Sequence, residues 1–198
     1  RFRPLQQTDF DNVGEISLQL FLAMSLMSMD LSSIAKGFGV DEVAQIITKA
    51  GFEDYLVEIG GEVYAAGVRI DNQPWRIGIN KPEAGASADQ VYHVATLQDR
   101  AFATSGDYRN FFDIDGRRYA HIIDPRTGYP VSNDVVSVSV TADTCALADG
   151  LATALMVMGA ARGIDLVNRL ENVECLIITR DAGGRLIDHL SQGFRIAN

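Results

Sequence analysis

The sequence predicts an α+β fold of mixed and antiparallel sheets flanked by helices. Three observations carry that expectation. Short segments of strand composition arrive in runs bounded by Gly, Pro and Asp, "DVVSVSVTA" at 134–142 being the clearest alternation. Two segments instead show apolar residues at helical spacing with a capping residue before and a glycine after. The helices separate groups of strands rather than alternating with them one by one, so a regular βαβ repeat is not expected. The chain's 198 residues suffice for one domain with a real core or for two small lobes.

Taken in order, "MDLSSIAKGFGVDEVAQIITKAGFEDY" reads as a helix with Asp30 as N-cap and Gly51 as stop. Leu31, Ile34, Phe38, Val43, Ile46 and Ile47 lie close to helical spacing. "YLVEIGGEVYAAGVR" has strand composition broken at Gly60-Gly61, which predicts a bulge or a hairpin bend. "WRIGINKP" and "VYHVATL" are two further strands, and "AFATSGDYRNFF" is a short strand leading into a polar turn. "RRYAHIIDP" reads as one strand ended by Pro125, with Tyr119, His121 and Ile123 on one side. "DTCALADGLATALMVMG" is a helix capped by Asp143 or Thr144 and ended by Gly159, and a second helix runs from about Ala160 to Leu170. "VECLIITR" and "GRLIDHLS" close the chain as a hairpin over 181–184.

Composition narrows function. Hydrophobic residues make up 47% and charged residues 22%, ordinary for a globular protein. No apolar run reaches the roughly 18–20 residues of a membrane helix; the longest, "LQLFLAMSLM", follows Asp9, Asp11 and Glu15 and lacks the basic start of a signal peptide. The chain begins with Arg rather than Met, so it is expected to be a processed product or a fragment. A net charge of −9 argues against nucleic-acid binding, and it means that an anionic substrate needs local positive charge, for which a divalent metal is the usual source. Cys145 and Cys175 lack metal-ligand spacing and sit in apolar surroundings, so unpaired buried thiols are expected.

Several residues could carry chemistry. Asp149 and Thr153 are four apart and share one helix face, where a carboxylate and a hydroxyl can offer hard oxygens to Mg²⁺; a solvated aspartate beside a threonine bonded to its own backbone fits the same spacing. In "DLSSIAKG", small residues crowd a helix start that could attract phosphate, or could simply be capped; this is not a P-loop, because the lysine precedes the glycine. "ATSGDYRN" places Thr104 and Ser105 at a strand end, as a pocket rim or as an ordinary turn. His121, where a strand meets the Asp124-Pro125 turn, could act as a base or be structural, since histidine titrates near neutral pH. Asp124 could orient that imidazole, but a turn-capping role is favoured because adjacent strand side chains face opposite ways. His93 and His189 read as structural or surface residues.

In this order, "DLSSIAKG", "GGE", "ATSGDYRNFFDIDGRRYAHIIDPRTGYPV" and "VSVSVTADTCALADGLATALMVMG" resemble the ApbE family, the Mg²⁺-dependent FAD:protein FMN transferases. The resemblance spans roughly 30–159 and more weakly reaches about Phe194. It implies transfer of FMN from FAD to a Ser or Thr hydroxyl of an acceptor flavoprotein, with release of AMP. An FAD-binding or FAD-cleaving relative and an inactive binding module are the alternatives. It also implies Asp149, Thr153 and the main-chain oxygen of Ser33 as Mg²⁺ ligands and His121 as the base. Asp30, Lys36 and the backbone at Ile123 would lie at the FAD site, with Thr104 and Ser105 lining the flavin or phosphate pocket. Ser32-Ser33 stands where the family often has Gly-Gly, a change that a main-chain ligand tolerates. Residues 1–29 match the family's longer N-terminal part poorly, so they are expected to be its remnant and 30–198 the transferase-like domain. The resemblance further implies the periplasmic face of a bacterial inner membrane, with any membrane association through a lipid anchor lost from this chain.

Overall fold

The computed structural model describes residues 30–83, 90–106, 111–114 and 117–197, with backbone alone for 111–114 and 117–120. The expected remnant at 1–29 lies outside the described residues, as does the turn at 107–110. Strands β1 (Tyr55–Ile59), β2 (Glu62–Ala66), β5 (Arg100–Gly106), β10 (Val135–Ala142), β11 (Glu174–Arg180) and β12 (Leu186–Leu190) form one antiparallel six-stranded sheet in the order β1-β2-β5-β10-β11-β12. Helices α1 (Ala35–Lys49), α2 (Cys145–Met158) and α3 (Ala160–Val167) cover one face. The hairpin of β3 (Trp75–Asn80) and β4 (Val91–Leu97) covers the other. The α+β class and the antiparallel pairing are as the sequence predicts.

The two covered faces explain why β10 is buried along nearly its whole length although its sequence alternates. Val138 and Val140 face the helices, while Val136 faces the hairpin layer. Ser137 and Ser139 fill the remaining positions, each 1% exposed. The hairpin is fastened from three sides: Trp75 Nε1 donates to Ala66 O at 2.9 Å, Arg180 donates to Pro82 O at 2.6 Å, and Ala197 N donates to Val94 O at 2.7 Å. Both cysteines are buried and unpaired, and burial pushes each thiol up to about 12.

Three local expectations change. First, α1 starts at Ala35 after a turn at 32–34, and Asp30 caps that turn instead of the helix, accepting from Ser32 N at 2.8 Å. Second, its buried residues are Gly37, Val40 and Ala44, whereas Leu31, Ile34, Phe38, Val43 and Ile46 of the expected apolar face are exposed. At Gly37 no side chain fits, because α1 runs against α2: a Cβ there would lie 2.4 Å from Cys145 O. Third, "RRYAHIIDP" is not one strand. It breaks at His121 between β7 (Arg117–Ala120), paired with β6 (Phe111–Ile114), and β8 (Ile123–Asp124), paired with β9 (Tyr129–Pro130). The kink lets Ile122 turn into the helix-side core and accept from Val131 N at 2.9 Å. His93 and His189, read from sequence as structural or surface residues, make side-chain contacts: His93 meets Asp188 Oδ2 at 2.6 Å, which ties β4 to β12, and His189 meets Thr179 Oγ1 at 3.0 Å.

Candidate functional site

Gly60 and Gly61 resolve as a two-residue hairpin turn with φ of +62° and +100°, since Ile59 pairs directly with Glu62. The turn brings the end of β1 and the start of β2 to the sheet edge where β5 ends at Ser105 and Gly106. The middle of α2 crosses the same edge. There Thr153 Oγ1 lies 3.2 Å from Ser105 Oγ. One turn earlier Asp149, 4% exposed, accepts from the Gly37 amide at 3.0 Å. The solvated-aspartate reading therefore fails, and the shared face of Asp149 and Thr153 is directed into the protein.

The turn at 32–34 leads to the same place: Ile34, the residue after Ser33, puts its Cγ2 3.1 Å from where a Cβ on Gly150 would be, on the α2 segment between Asp149 and Thr153. The first turn of α1 does not offer all its amides to a ligand, because Gly37 N is taken by Asp149. Glu62, the first residue of β2, points to the helix side with 1% exposure and receives the Lys36 ammonium on Oε1. Its Oε2 has no partner among the described residues. The sequence reading passed over Glu62; the signal was its place directly after the Gly-Gly turn, where strand alternation puts it on the covered side with Tyr64.

Burial pushes the Glu62 carboxyl above its ordinary range, and the neighbouring Asp149 charge adds to this while Lys36 opposes it. Asp149 is raised as well, chiefly by burial, against the Gly37 amide and Lys36. Among the described residues, two enclosed carboxylates thus share a single ammonium. A hydroxyl, a carboxylate and a peptide turn converge beside that uncompensated negative charge, a donor set of hard oxygens that fits a divalent cation such as Mg²⁺. Among the described residues no three His, Cys, Asp or Glu side chains form a metal cluster, so such an ion would also need main-chain, hydroxyl or substrate oxygens.

The structure separates Thr104 from Ser105. Neighbours on a strand face opposite ways, and Thr104 Oγ1 meets Ser139 Oγ at 2.9 Å on the hairpin side. That side holds a cavity of about 670 Å³ lined by Glu58, Gly60, Arg76, Asn80, Thr104 and Gly106 among others. The cavity and the Asp149 cluster thus flank the same sheet edge. His121 and Ile123 are exposed in the β7–β9 segment. Asp124 caps the turn, as favoured from sequence: its Oδ1 accepts from Arg126 N and Nε, both at 2.9 Å, and its Oδ2 from Arg126 Nη2 at 2.6 Å.

A sequence profile described as the ApbE family matches residues 3–177. The chain belongs to the ApbE family. An FAD:protein FMN transferase of Vibrio cholerae is 48% identical over 169 residues, which are 84% of this chain and 49% of that protein. One from Haemophilus influenzae is 43% identical over 161 residues, 81% of this chain and 46% of that protein. The solved flavin transferase ApbE from Vibrio cholerae superposes with a TM-score of 0.71 at 48% identity, covering 83% of this chain and 50% of that one. This ApbE-family chain therefore spans about half the length of the curated relatives it matches.

Proposed function

We propose that this chain carries the phosphate- and metal-binding half of an FAD:protein FMN transferase, which moves FMN from FAD onto a Ser or Thr hydroxyl of an acceptor flavoprotein and releases AMP. The observation that carries the reading is the buried Asp149, set one helical turn from Thr153 on the face of α2 that meets Gly37 and Ser105. In this reading Asp149, Thr153 and the main-chain oxygen of Ser33 hold Mg²⁺. Bound there, it would neutralise charge on the FAD pyrophosphate and stabilise the leaving phosphate.

The remaining work falls to the chain's own residues. Lys36 presents an ammonium to the pyrophosphate oxygens, and Asp30 and the backbone at Ile123 contact the rest of FAD. Ser105 faces the phosphate side of the sheet edge and Thr104 the cavity side, which suits a dinucleotide lying across that edge. His121 takes the proton from the acceptor hydroxyl as its oxygen attacks the phosphorus of the FMN half; the bond to the AMP oxygen breaks and AMP leaves with the electron pair. An exposed histidine suits a substrate that is itself a protein. We place the reaction on the periplasmic face of a bacterial inner membrane, on the strength of family resemblance.

Incubation with FAD, Mg²⁺ and an acceptor flavoprotein should leave covalent flavin fluorescence on the acceptor in a denaturing gel, and Asp149→Ala should abolish it while leaving the fold intact. Free FMN and AMP with an unlabelled acceptor would instead identify an FAD pyrophosphatase. Full Mg²⁺-dependent labelling by Asp149→Ala would remove Asp149 from the metal site.

A further inference from the structure

We propose that Glu62 is a positioning residue that holds the Lys36 ammonium away from Asp149 and so leaves Asp149 able to bind a divalent cation. The inference rests on the metal reading given above and extends it to a residue outside the ligand set.

A lysine serving phosphate beside an aspartate serving a metal presents a conflict. The two side chains attract each other, and an ion pair between them would occupy the carboxylate. Lys36 directly precedes Gly37, whose amide binds Asp149, so the ammonium is tethered close to that carboxylate. Lys36 nevertheless pairs with Glu62 on the neighbouring strand. The choice follows from need. Asp149 already receives a backbone amide. Glu62 is 1% exposed, its Oε2 has no partner among the described residues, and Lys36 is its one ion-pair partner among them. Leaving a buried carboxylate without a partner costs far more than leaving an exposed one, so the half-exposed ammonium is held most strongly where no other donor compensates the charge. Gly60 lies directly over the pair: a Cβ there would stand 3.2 Å from Lys36 Cδ and 3.7 Å from Glu62 Oε2.

The test uses the full chain and Mn²⁺ alone, with binding followed by loss of the free-ion electron paramagnetic resonance signal. Glu62→Gln keeps the shape but releases Lys36 onto Asp149, and should weaken Mn²⁺ binding at least tenfold. Lys36→Met removes the competitor, and should bind Mn²⁺ at least as tightly as the parent. The double variant Glu62→Gln/Lys36→Met should return to within about threefold of Lys36→Met, because Glu62 has nothing left to restrain. Parent-like binding by Glu62→Gln overturns the proposal. So does a double variant as weak as Glu62→Gln, which would make Glu62 a direct cation partner. Should Glu62→Gln fail to fold, as judged by far-ultraviolet circular dichroism, Lys36→Met still decides, since weaker binding by that half-exposed substitution contradicts competition. A parent chain that binds no Mn²⁺ at millimolar concentration sinks the metal reading itself, an outcome distinct from those that sink only the role of Glu62.

Discussion

Replacing Gly37 with alanine sets helix propensity against the crossing of two helices. Within a helix, Ala is favoured over Gly by about 1 kcal/mol, so local physics alone predicts a more stable protein. The structure predicts the reverse. The added methyl would lie 2.4 Å from Cys145 O, 2.6 Å from Cys145 C and 2.8 Å from Ala146 N, all backbone atoms. They cannot swing aside like a side chain, because Asp41 clamps the same turn through Cys145 N at 2.7 Å and Ala146 N at 2.9 Å. Restoring ordinary contact requires α1 and α2 to part by about 1 Å. Such a shift stretches the Gly37–Asp149 hydrogen bond, and one to a charged group contributes about 1.5–3 kcal/mol. Overpacking adds a cost of about 1–3 kcal/mol. After the propensity gain, the net loss is about 2–5 kcal/mol. Urea unfolding followed by circular dichroism measures it directly. A Gly37→Ala chain as stable as the parent, or more stable, would refute the close helix contact and the geometry that places Asp149.

Two further outcomes follow from the same site. Asp41→Ala should destabilise by about 1–3 kcal/mol and Thr144→Ala by only about 0.5 kcal/mol, because Asp41 accepts two short bonds from the first turn of α2 while the Thr144 cap bond is 3.4 Å long; denaturant midpoints in the opposite order would return the capping role to Thr144. Glu62 and Asp149 are both held above their ordinary carboxyl values of 4.5 and 3.8, so their ionisation costs more in the folded state than in the unfolded one. The stability tied to their protonated forms is complete below those ordinary values and is lost as pH rises through the raised folded ones. Without metal, the double variant Glu62→Gln/Asp149→Asn should therefore match the parent near pH 3 and exceed it in unfolding free energy at pH 7; a gap that does not widen with pH would show that the carboxyls are not raised.

Much of the fold was legible because it rests on local patterns. The alternation of β10, the Thr144 start and Gly159 end of α2, and the closing hairpin are each encoded within a few residues, and all stand close to where the sequence puts them. The four-residue spacing likewise sets Asp149 and Thr153 on one helix face whatever surrounds them. What the sequence misjudged depends on contacts between distant segments. The apolar stripe of α1 suggested a buried face, yet the helix buries Gly37, Val40 and Ala44 instead, and at Gly37 the backbone of α2 comes too close for any side chain. Asp41 caps a helix 104 residues away, a partnership that no local pattern announces. Thr104 and Ser105 read as one cluster until the sheet, covered on both faces, sent them to opposite sides. Glu62 stands next to a glycine pair that read as a bulge or bend, and only the packing of α1 over β2 enclosed its carboxylate with Lys36. Sequence by itself determined which residues can offer oxygens, charge or a proton and which neighbours share a face, because covalent geometry and helix and strand periods set those relations. The tertiary structure decided which of them lose their water and meet, because burial and long-range proximity exist only after the chain has closed on itself.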